Sequence, residues 1–538
     1  MADNKKKNFY LTTPIYYASG NIHIGHTYCC VCADTIARYK RLAGYNVRFM
    51  TGSDEHGQKI QEKAEAAGLD PQTYVDRIAQ SFKDVWKALD ISYDYYVRTT
   101  DDYHVALVKK VFNELLEKGD IYLGEYKGWY CTPDETFWSD SQVITDENGN
   151  HFCPDCHRPV HLDSEEAYFL NVKKFVPWLL NFYEEHPDFF SKDKMNEMIN
   201  TFIKPGLEDL CITRTSFTWG IPIDQNPKHV IYVWIDALLN YISALGYKTE
   251  DETLFKTFWG DDAEIIHLVG RDITRFHTIY WPILLKALGL REPDKVIVHG
   301  LLLTKSGVKL SKSLGNAISP YPLIEKYGVD SLRYYIVREI EFGTDGNFTP
   351  LQFIDRLNSD LANSYGNLVN RTLSMMNKYF DGVIPEYQEP ENDFTKKLYQ
   401  DIEEKLIQYN AFMEDLKITE GAEKAIELIN LGNKYFDDVA PWTQAKNGNT
   451  ALLKECLYAA SEIIRIGSII LSPMMPNKTK DALDQENVPE ELRTLPSTHT
   501  IGKLSGIHIN AISALFPRLK KEDEVAYLTE LIDGPVTK

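Results

Sequence analysis

A short strand that runs into a turn with two histidines is the feature that most constrains this chain. Residues 9–13 have the apolar character of a buried strand, and residues 26–42 have helical periodicity. The turn between them contains His23, Gly25 and His26. A helix N-terminus presents unpaired backbone N–H groups and favours anions, so the turn predicts a phosphate site. Taken alone, an ordinary turn with two surface histidines explains the same residues equally well.

Strand and helix patterns alternate along two stretches of the chain. Further strands are predicted at 46–51, 230–234, 265–269 and 296–298, with helices at 58–67, 71–89, 236–245 and a stretch ending at Leu288. This α/β alternation predicts a doubly wound parallel sheet of the Rossmann type, which binds ligands at the carboxyl ends of its strands. An aromatic-rich segment with four of the eight cysteines interrupts the pattern, so we expect an inserted connective domain there.

Beyond about residue 350 the strand patterns stop and helical periodicity remains. Helices are predicted at 351–380, 393–412, 418–439 and 451–471, which together indicate an α-helical bundle. The predicted domains are the first Rossmann half at 1–115, the connective insertion at 116–219, the second Rossmann half at 220–320, a linker at 321–350 and the helical domain with a C-terminal tail at 351–538.

Charge and composition restrict the environment and the partners. The formal net charge of −20 argues against binding nucleic acid through bulk attraction, although a local basic groove is compatible with it. Eight cysteines in 538 residues are too sparse for a disulfide framework, which indicates a reducing compartment. No apolar run is long enough to cross a bilayer, and the N-terminus has no secretory hydrophobic region. We therefore expect a cytoplasmic protein that does not bind membranes.

A second motif lies after the last predicted strand, where Lys309 and Lys312 are spaced at i and i+3 with serines interleaved. Two such lysines in a loop can close on a triphosphate and hold charge that develops on the leaving pyrophosphate. A solvated basic loop is the ordinary alternative for one motif by itself. The pair H-x-G-H and K-x-S-K-S, each in this context, resembles the two signatures of class I aminoacyl-tRNA synthetases.

Three further stretches, at 51–57, 232–238 and 270–277, closely resemble the methionyl-tRNA synthetase family, and the resemblance extends from residue 9 to near residue 442. It implies a ligase that activates L-methionine with ATP and Mg²⁺ as methionyl-adenylate. It also implies transfer of the methionyl group to the 3′ end of tRNA(Met) in protein synthesis. The C-terminal helices would then form an anticodon-binding domain, and the linker would contact the tRNA stem.

The resemblance also implies a methionine pocket. A carboxylate can bind the ammonium of methionine, and aromatic rings suit its polarisable thioether. The implied pocket residues are Ile15, Tyr17, Asp54, Trp234, Ala237, Leu238, Tyr241, Ile273 and His277. Leu238 stands where many family members have proline. Spacing alone would assign Trp234 and Tyr241 to an ordinary core.

Binding of ATP is implied at both signatures and at one strand end. The residues that match are His23, Gly25 and His26 for adenine and phosphates, Gly270 and Asp272 for ribose, and Lys309 and Lys312 for phosphates. His23, His26, Lys309 and Lys312 are the implied catalytic residues. Leu310 replaces the methionine usual in the second signature, a change that conserves volume.

The insertion carries one complete and one incomplete metal-binding knuckle. Cys153 and Cys156 have zinc-ligand spacing, whereas Cys131 is followed at i+3 by Asp134 in place of a second cysteine. Aspartate also binds zinc, so a four-ligand site is one interpretation. A knuckle that has lost its metal and relies on hydrogen bonds is the other.

Three residues of the helical region match family residues that read the anticodon CAU, namely Asn367, Arg371 and Trp442. An exposed tryptophan can stack on an unpaired base, and Asn and Arg can bond to its edge. Inward packing of Trp442 after Pro441 is the alternative that spacing alone favours. The chain has no editing-sized insertion and no extra C-terminal tRNA-binding domain, so we expect a monomer.

Two other functions are compatible with parts of the sequence. A nucleotidylyltransferase can share the first signature but is usually compact, and residues 351–510 argue against it. A non-catalytic tRNA-binding relative would have damaged signatures, whereas both signatures are intact here.

Overall fold

The structure is a computed structural model that describes residues 7–134, 136–138, 140, 142–231, 233–303 and 318–533. Its backbone contacts divide the chain into two units. The sheet unit comprises Met1–Ile22, Asn46–Trp86 and Tyr93–His299. The helical unit comprises His23–Tyr45, Lys87–Ser92 and Gly300–Lys538. Each helix in these described parts of the chain is too short or too polar to cross a membrane.

The sheet unit is built on five parallel strands. In chain order they are β1 Asn8–Tyr17, β2 Asn46–Asp54, β3 Tyr95–Arg98, β4 Ala263–Gly270 and β5 Lys295–His299. Their order across the sheet is β5-β4-β1-β2-β3, which confirms the doubly wound prediction. The direction of winding reverses at β1, so the carboxyl ends of β1 and β4 flank the place where such sheets bind ligands.

The central strand β1 is longer than the sequence predicts. Phe9, Tyr10 and Leu11 are fully buried, as expected for a strand covered on both faces. Pro14 lacks an N–H, and the pairing with β2 shifts register between Thr12 and Ile15. The strand then resumes to Tyr17, so this irregularity turns the final residues of β1 without ending it.

Helices accompany the parallel strands, and one predicted strand is wrong. The helices are Gln58–Ala66, Pro71–Ala88, Asp102–Glu117, Val233–Ser243, Thr253–Phe258 and Trp281–Leu288. The strand predicted at 230–234 is instead Asn226–Ile231, and it pairs antiparallel with its neighbours. Trp234 therefore lies on a helix, because a short apolar run does not distinguish a buried helix from a strand. The predicted helix end at Leu288 is confirmed, and Gly289 follows it with a left-handed φ of 72°.

The aromatic-rich insertion forms antiparallel sheets. Its four-stranded sheet runs in the order Thr136–Trp138, Ile121–Cys131, His161–Leu170 and Leu210–Cys211. A small hairpin pairs Ile144–Thr145 with His151–Phe152, and helices follow at Val176–Glu185 and Lys192–Met198. A three-stranded sheet of Thr213–Arg214, Asn226–Ile231 and Ile221–Ile223 leads back to the parallel sheet.

The helical unit confirms the predicted bundle. Its main helices are Ile24–Leu42, Tyr321–Tyr327, Val329–Glu339, Pro350–Arg356, Asn367–Phe380, Asp393–Glu414, Ile418–Val439, Pro441–Lys446, Thr450–Leu471, Pro476–Gln485 and Lys521–Asp533. A π-helical segment, Leu357–Gly366, interrupts the helix predicted at 351–380. Thr450–Leu471 is buried along most of its length and forms the centre of this unit.

A buried ion pair holds the first of these helices within the helical unit. Arg333 Nη2 lies 2.7 Å from Asp34 Oδ2, and neither side chain is exposed to solvent. The same guanidinium donates to the carbonyl oxygens of Leu89, Pro473 and Met474. Arg333 on Val329–Glu339 thereby connects Ile24–Leu42 with the segment that follows Thr450–Leu471.

Candidate active site

The carboxyl ends of β1 and β2 hold a buried carboxylate one strand away from the switch point of the sheet. Tyr17 and Asp54 are the last residues of the two strands and are paired in register. The N–H of Ala18 donates to the carbonyl of Asp54 at 2.8 Å, which extends the pairing by one residue. Only 6% of Asp54 is exposed. A carboxylate held at such depth interacts strongly with a cation, because little water competes.

The turn after Asp54 is fixed by an ion pair that sequence analysis missed. Glu55 is fully buried, and its carboxylate accepts from Arg98 Nε and Nη2, each at 2.8 Å. The hydroxyl of Thr100 adds a bond of 2.6 Å to the same carboxylate. This bidentate pair joins the ends of β2 and β3, and so it restricts the position of Asp54 next to it.

A second buried carboxylate connects this turn to the helix Val233–Ser243. Asp236 Oδ2 lies 2.7 Å from His56 Nδ1, and Asp236 Oδ1 lies 2.8 Å from His104 Nε2. Burial by itself raises the pKa of Asp236, but the two histidines outweigh it and hold that pKa below its usual value. The helix that carries predicted pocket residues is therefore bonded to His56, two residues after Asp54. This link was not predicted, although a histidine in the motif at 51–57 and an aspartate in the apolar motif at 232–238 were a signal.

The same helix contributes aromatic side chains to a shared cluster. The indole of Trp234 stacks on Phe276, with ring centres 3.4 Å apart and ring planes 4° apart. The hydroxyl of Tyr241 lies 2.7 Å from His277 Nε2. His277 Nδ1 lies 2.9 Å from the carbonyl oxygen of Ile273, which only accepts, so the proton of the neutral ring is on Nδ1. Tyr241 consequently donates its hydroxyl proton to His277.

The remaining predicted pocket residues lie on these elements. Ala237 and Leu238 are buried on the helix, while Ile15 and Ile273 are partly buried against the same core. Gly52 is required beside Ile15, because a Cβ there would lie 2.2 Å from the carbonyl oxygen of Val97 and 3.0 Å from Ile15 Cγ2. The structure thus places Ile15, Tyr17, Asp54 and Ile273 at or just beyond the carboxyl ends of parallel strands. The pocket helix packs against the same core.

Burial keeps His277 uncharged, and this sets an expected pH dependence. Burial lowers the pKa of His277 to about 4, so the ring is neutral at pH 6 as well as at pH 8. We expect the dissociation constant for methionine, measured by equilibrium dialysis, to change less than about twofold between pH 8 and pH 6. A larger loss of affinity at pH 6 that disappears in His277→Gln would contradict this.

The predicted ribose-binding residues lie where β4 ends. Gly270 is the last residue of the strand, and Asp272 follows in a 3₁₀ turn, Arg271–Ile273. A Cβ at position 270 would lie 2.7 Å from Asp272 Oδ1, so glycine allows this carboxylate to approach the backbone. A carboxylate beyond a strand and a glycine is suited to binding ribose hydroxyls.

In the helical unit, the two signature histidines form the N-terminus of Ile24–Leu42. The N–H of Gly25 donates to His23 Nδ1 at 3.1 Å, and the N–H of His23 donates to His26 Nδ1 at 3.2 Å. Both Nδ1 atoms accept, so a neutral ring carries its proton on Nε2. Each imidazole can therefore donate a hydrogen bond from Nε2, which is what a phosphate oxygen requires. Lys309, Leu310 and Lys312 lie outside the described residues.

Four side chains of the insertion form a cluster suited to a metal ion. The Sγ atoms of Cys131 and Cys153 lie 3.4 and 3.1 Å from Asp134 Oδ2, and the Sγ atoms of Cys131 and Cys156 are 3.5 Å apart. All four donor atoms lie within 4.8 Å of one another. Such separations match the edges of a tetrahedron with zinc–sulfur bonds of about 2.3 Å. The residues present therefore fit a zinc ion.

The three predicted anticodon readers also come together in the helical unit. The guanidinium of Arg371 lies 5.2 Å from the ring centre of Trp442 and 5.0 Å from that of Phe436. Trp442 is 45% exposed, which excludes the inward packing considered from the sequence. Asn367 lies one helical turn before Arg371, and its Nδ2 donates to Asn433 Oδ1 at 3.4 Å. An exposed aromatic ring therefore lies beside polar side chains, which is the combination that stacking and hydrogen bonding of an unpaired base would use.

A doubly wound parallel sheet, an antiparallel insertion and a C-terminal helical bundle define a class I tRNA synthetase. Residues 9–373 match the family model for tRNA synthetases class I (M), and residues 384–532 match the model for the anticodon binding domain of methionyl tRNA ligase. The chain belongs to the methionine–tRNA ligase family.

Individual relatives are similar in sequence over nearly the whole of this chain. The methionine–tRNA ligase of Halalkalibacterium halodurans is 48% identical, covering 98% of this chain and 81% of the relative, and that of Bacillus subtilis is 47% identical with the same coverage. The structure of Mycobacterium tuberculosis methionyl-tRNA synthetase in complex with methionyl-adenylate is 35% identical, with a TM-score of 0.90. The comparison covers 95% of this chain and 100% of that one.

Proposed function

We propose that this protein is a methionine–tRNA ligase that joins L-methionine to ATP as methionyl-adenylate and then charges the 3′ end of tRNA(Met). One observation carries the proposal. The Asp54 carboxylate at the carboxyl end of β2 is linked, through His56 and Asp236, to the helix that bears Trp234. A buried anion beside an uncharged aromatic pocket matches an amino acid with an ammonium and a polarisable side chain.

The proposed reaction follows from positioning and charge stabilisation. Asp54 binds the ammonium of methionine, and the carboxylate of methionine attacks the α-phosphorus of ATP in line. The bond from that phosphorus to the bridging oxygen breaks, and pyrophosphate leaves with its electron pair. His23 and His26 donate from Nε2 to phosphate oxygens, and Lys309 and Lys312 stabilise the leaving charge. Mg²⁺ would supply further neutralisation of the phosphates of bound ATP.

Methionine-dependent exchange between ATP and labelled pyrophosphate tests the first step. We expect exchange with L-methionine and a rate at least about 100-fold lower with leucine or isoleucine, since a neutral aromatic pocket distinguishes them by shape and polarisability. A transcript with a CAU anticodon should then accept methionine. A nucleotidylyltransferase would show exchange that is independent of methionine, and a non-catalytic tRNA-binding protein would bind the transcript without any exchange.

The proposal extends to tRNA recognition and to the location, oligomeric state and domains of the enzyme. Trp442, Arg371 and Asn367 read the anticodon, and the enzyme acts as a cytoplasmic monomer. Its catalytic domain consists of residues 1–115 and 220–320 around the insertion at 116–219. Residues 321–350 contact the tRNA stem, and residues 351–538 form the anticodon-binding domain and tail. Sedimentation velocity at micromolar concentration tests the monomer, and a dimer would contradict it.

We also propose that Cys131, Asp134, Cys153 and Cys156 bind zinc. Burial, followed by the hydrogen bond to Asp134, raises the pKa of the Cys156 thiol to about 12, so a cation is needed to release that proton near neutral pH. Elemental analysis should find about one zinc per chain and much less in Cys156→Ala. Cys211→Ala, which removes another cysteine of the insertion from outside the cluster, should retain zinc. Zinc at background level in the unaltered protein would favour the metal-free knuckle.

A further inference from the structure

A pair of asparagines on neighbouring helices determines which atoms of the proposed anticodon reader face outward. We propose that Asn433 is a positioning residue that fixes the amide orientation of Asn367, and thereby the base that Asn367 accepts. This rests on the proposed function, because it assigns a specificity role at the same RNA-binding surface. Asn433 itself is not required to touch the RNA.

The donor and acceptor roles follow from a carbonyl group. Asn433 Nδ2 lies 3.1 Å from the carbonyl oxygen of Ser364, which can only accept. The amide nitrogen of Asn433 is therefore committed to Ser364, and its Oδ1 faces Asn367. Only the NH₂ group of Asn367 can donate to that oxygen, at 3.4 Å. Reversing the amide of Asn367 would bring two oxygens together, so the network selects one orientation.

The carbonyl of Ser364 is available because of the local helix geometry. Ser364 lies near the end of the π-helical segment Leu357–Gly366, immediately before the helix that begins at Asn367. The backbone N–H of Asn367 also bonds to Ser364 O. One carbonyl thus holds both the backbone of Asn367 and the side chain that orients it. π-helical geometry within a helix is frequently found at functional sites.

The orientation determines the chemistry presented to a base. With its NH₂ group directed at Asn433, Asn367 presents Oδ1, and no hydrogen bond within the described residues uses that oxygen. An acceptor matches the exocyclic amino group of cytosine and opposes the carbonyl O4 of uracil. Arg371, one helical turn later, supplies donors for the remaining edge. Asn433 is consequently predicted to control discrimination between cytosine and uracil at one anticodon position.

Charging of two transcripts that differ only by C or U at the first anticodon position tests this inference. In Asn433→Leu, which keeps the branched skeleton but makes neither bond, we expect the ratio of kcat/KM between the two transcripts to fall about tenfold. Pyrophosphate exchange should remain unchanged, because the first step does not use the RNA. Asn370→Leu is the matched control, since Asn370 is exposed on the same helix as Asn367, and its ratio should equal that of the unaltered protein.

A second substitution separates orientation from packing. A carboxylate presents an acceptor whichever way it turns, so Asn367→Asp in the Asn433→Leu background should recover most of the lost ratio. An unchanged ratio in Asn433→Leu, or equal losses with both transcripts and no recovery, would overturn the inference. Failure of the unaltered protein to charge either transcript would overturn the proposed function itself. If Asn433→Leu does not fold, Asn433→Ser is measured by the same criteria.

Discussion

Asp54→Asn is expected to raise the KM for methionine about 100-fold in pyrophosphate exchange, equivalent to about 2.7 kcal/mol. The asparagine has the same shape but lacks the charge that pairs with the ammonium of methionine. Because only 6% of Asp54 is exposed, solvent cannot supply the missing interaction. The KM for ATP should change little, since Asp54 is proposed to contact methionine only.

Two comparisons make this result specific to the ammonium pair. Asp224→Asn removes a carboxylate that is exposed and paired with Lys109 in the same unit, and it should leave both KM values unchanged. Circular dichroism should show that Asp54→Asn remains folded. A methionine KM within threefold of that of the unaltered protein would remove Asp54 from the proposed pocket.

Arg333→Leu is expected to cost about 3–5 kcal/mol of unfolding free energy, because the buried Asp34 carboxylate loses its buried partner and keeps only Arg38, which is partly exposed. The substitution also removes the donors that satisfy the carbonyl oxygens of Leu89, Pro473 and Met474. Urea unfolding followed by far-ultraviolet circular dichroism would measure the loss. Asp34→Leu together with Arg333→Leu should recover part of it, since neither of the two fully buried charges then remains.

A surface pair provides the control for this prediction. Lys480 and Asp484 form an exposed i,i+4 ion pair in the same unit, and Lys480→Leu should change stability by less than about 1 kcal/mol. Similar costs for Lys480→Leu and Arg333→Leu would show that burial of the pair is not what matters. That outcome would contradict the role assigned to Arg333.

The Arg333–Asp34 pair also determines the direction in which stability changes with pH. Burial raises the pKa of Asp34, but Arg333, Arg38 and two hydrogen bonds from Ser92 outweigh it and hold that pKa below its ordinary value. The stabilisation is therefore fully present above the unfolded pKa of about 4 and is lost as the pH falls through the lower folded value. Between pH 5 and pH 8 this carboxylate should not alter stability.

Local patterns in the sequence were sufficient to predict the architecture. Alternating apolar runs predicted the doubly wound sheet, and helical periodicity predicted the bundle close to its observed bounds. The extension of β1 past Pro14 was missed, because a proline normally ends a strand and only pairing with β2 restores it. The misplaced strand at 230–234 has a related cause, since the helix Val233–Ser243 is buried from residue 235 onward and has no solvent-exposed face to give it a period.

The buried polar contacts of the site were beyond sequence analysis. Asp236 lies 180 residues from His56 and 132 from His104, and no local rule pairs such distant positions. The Glu55–Arg98 pair and the orientation of Asn367 by Asn433 are of the same kind. The individual pocket residues were predicted only because their motifs resemble a known family. Their roles, and those of Lys309 and Lys312, remain predictions for the experiments above.

The turn containing His23 and His26 places two demands on the same rings. One nitrogen of each imidazole accepts from a backbone N–H at the start of a helix, and the other is proposed to donate to a substrate oxygen. Loss of either histidine would therefore reduce both helix stability and turnover, and an alanine substitution would not distinguish the two. Asparagine offers an acceptor near the position of Nδ1 without the reach of Nε2–H. Selection of variants for stability alone would therefore tolerate asparagine at positions 23 and 26, whereas selection for turnover would retain histidine.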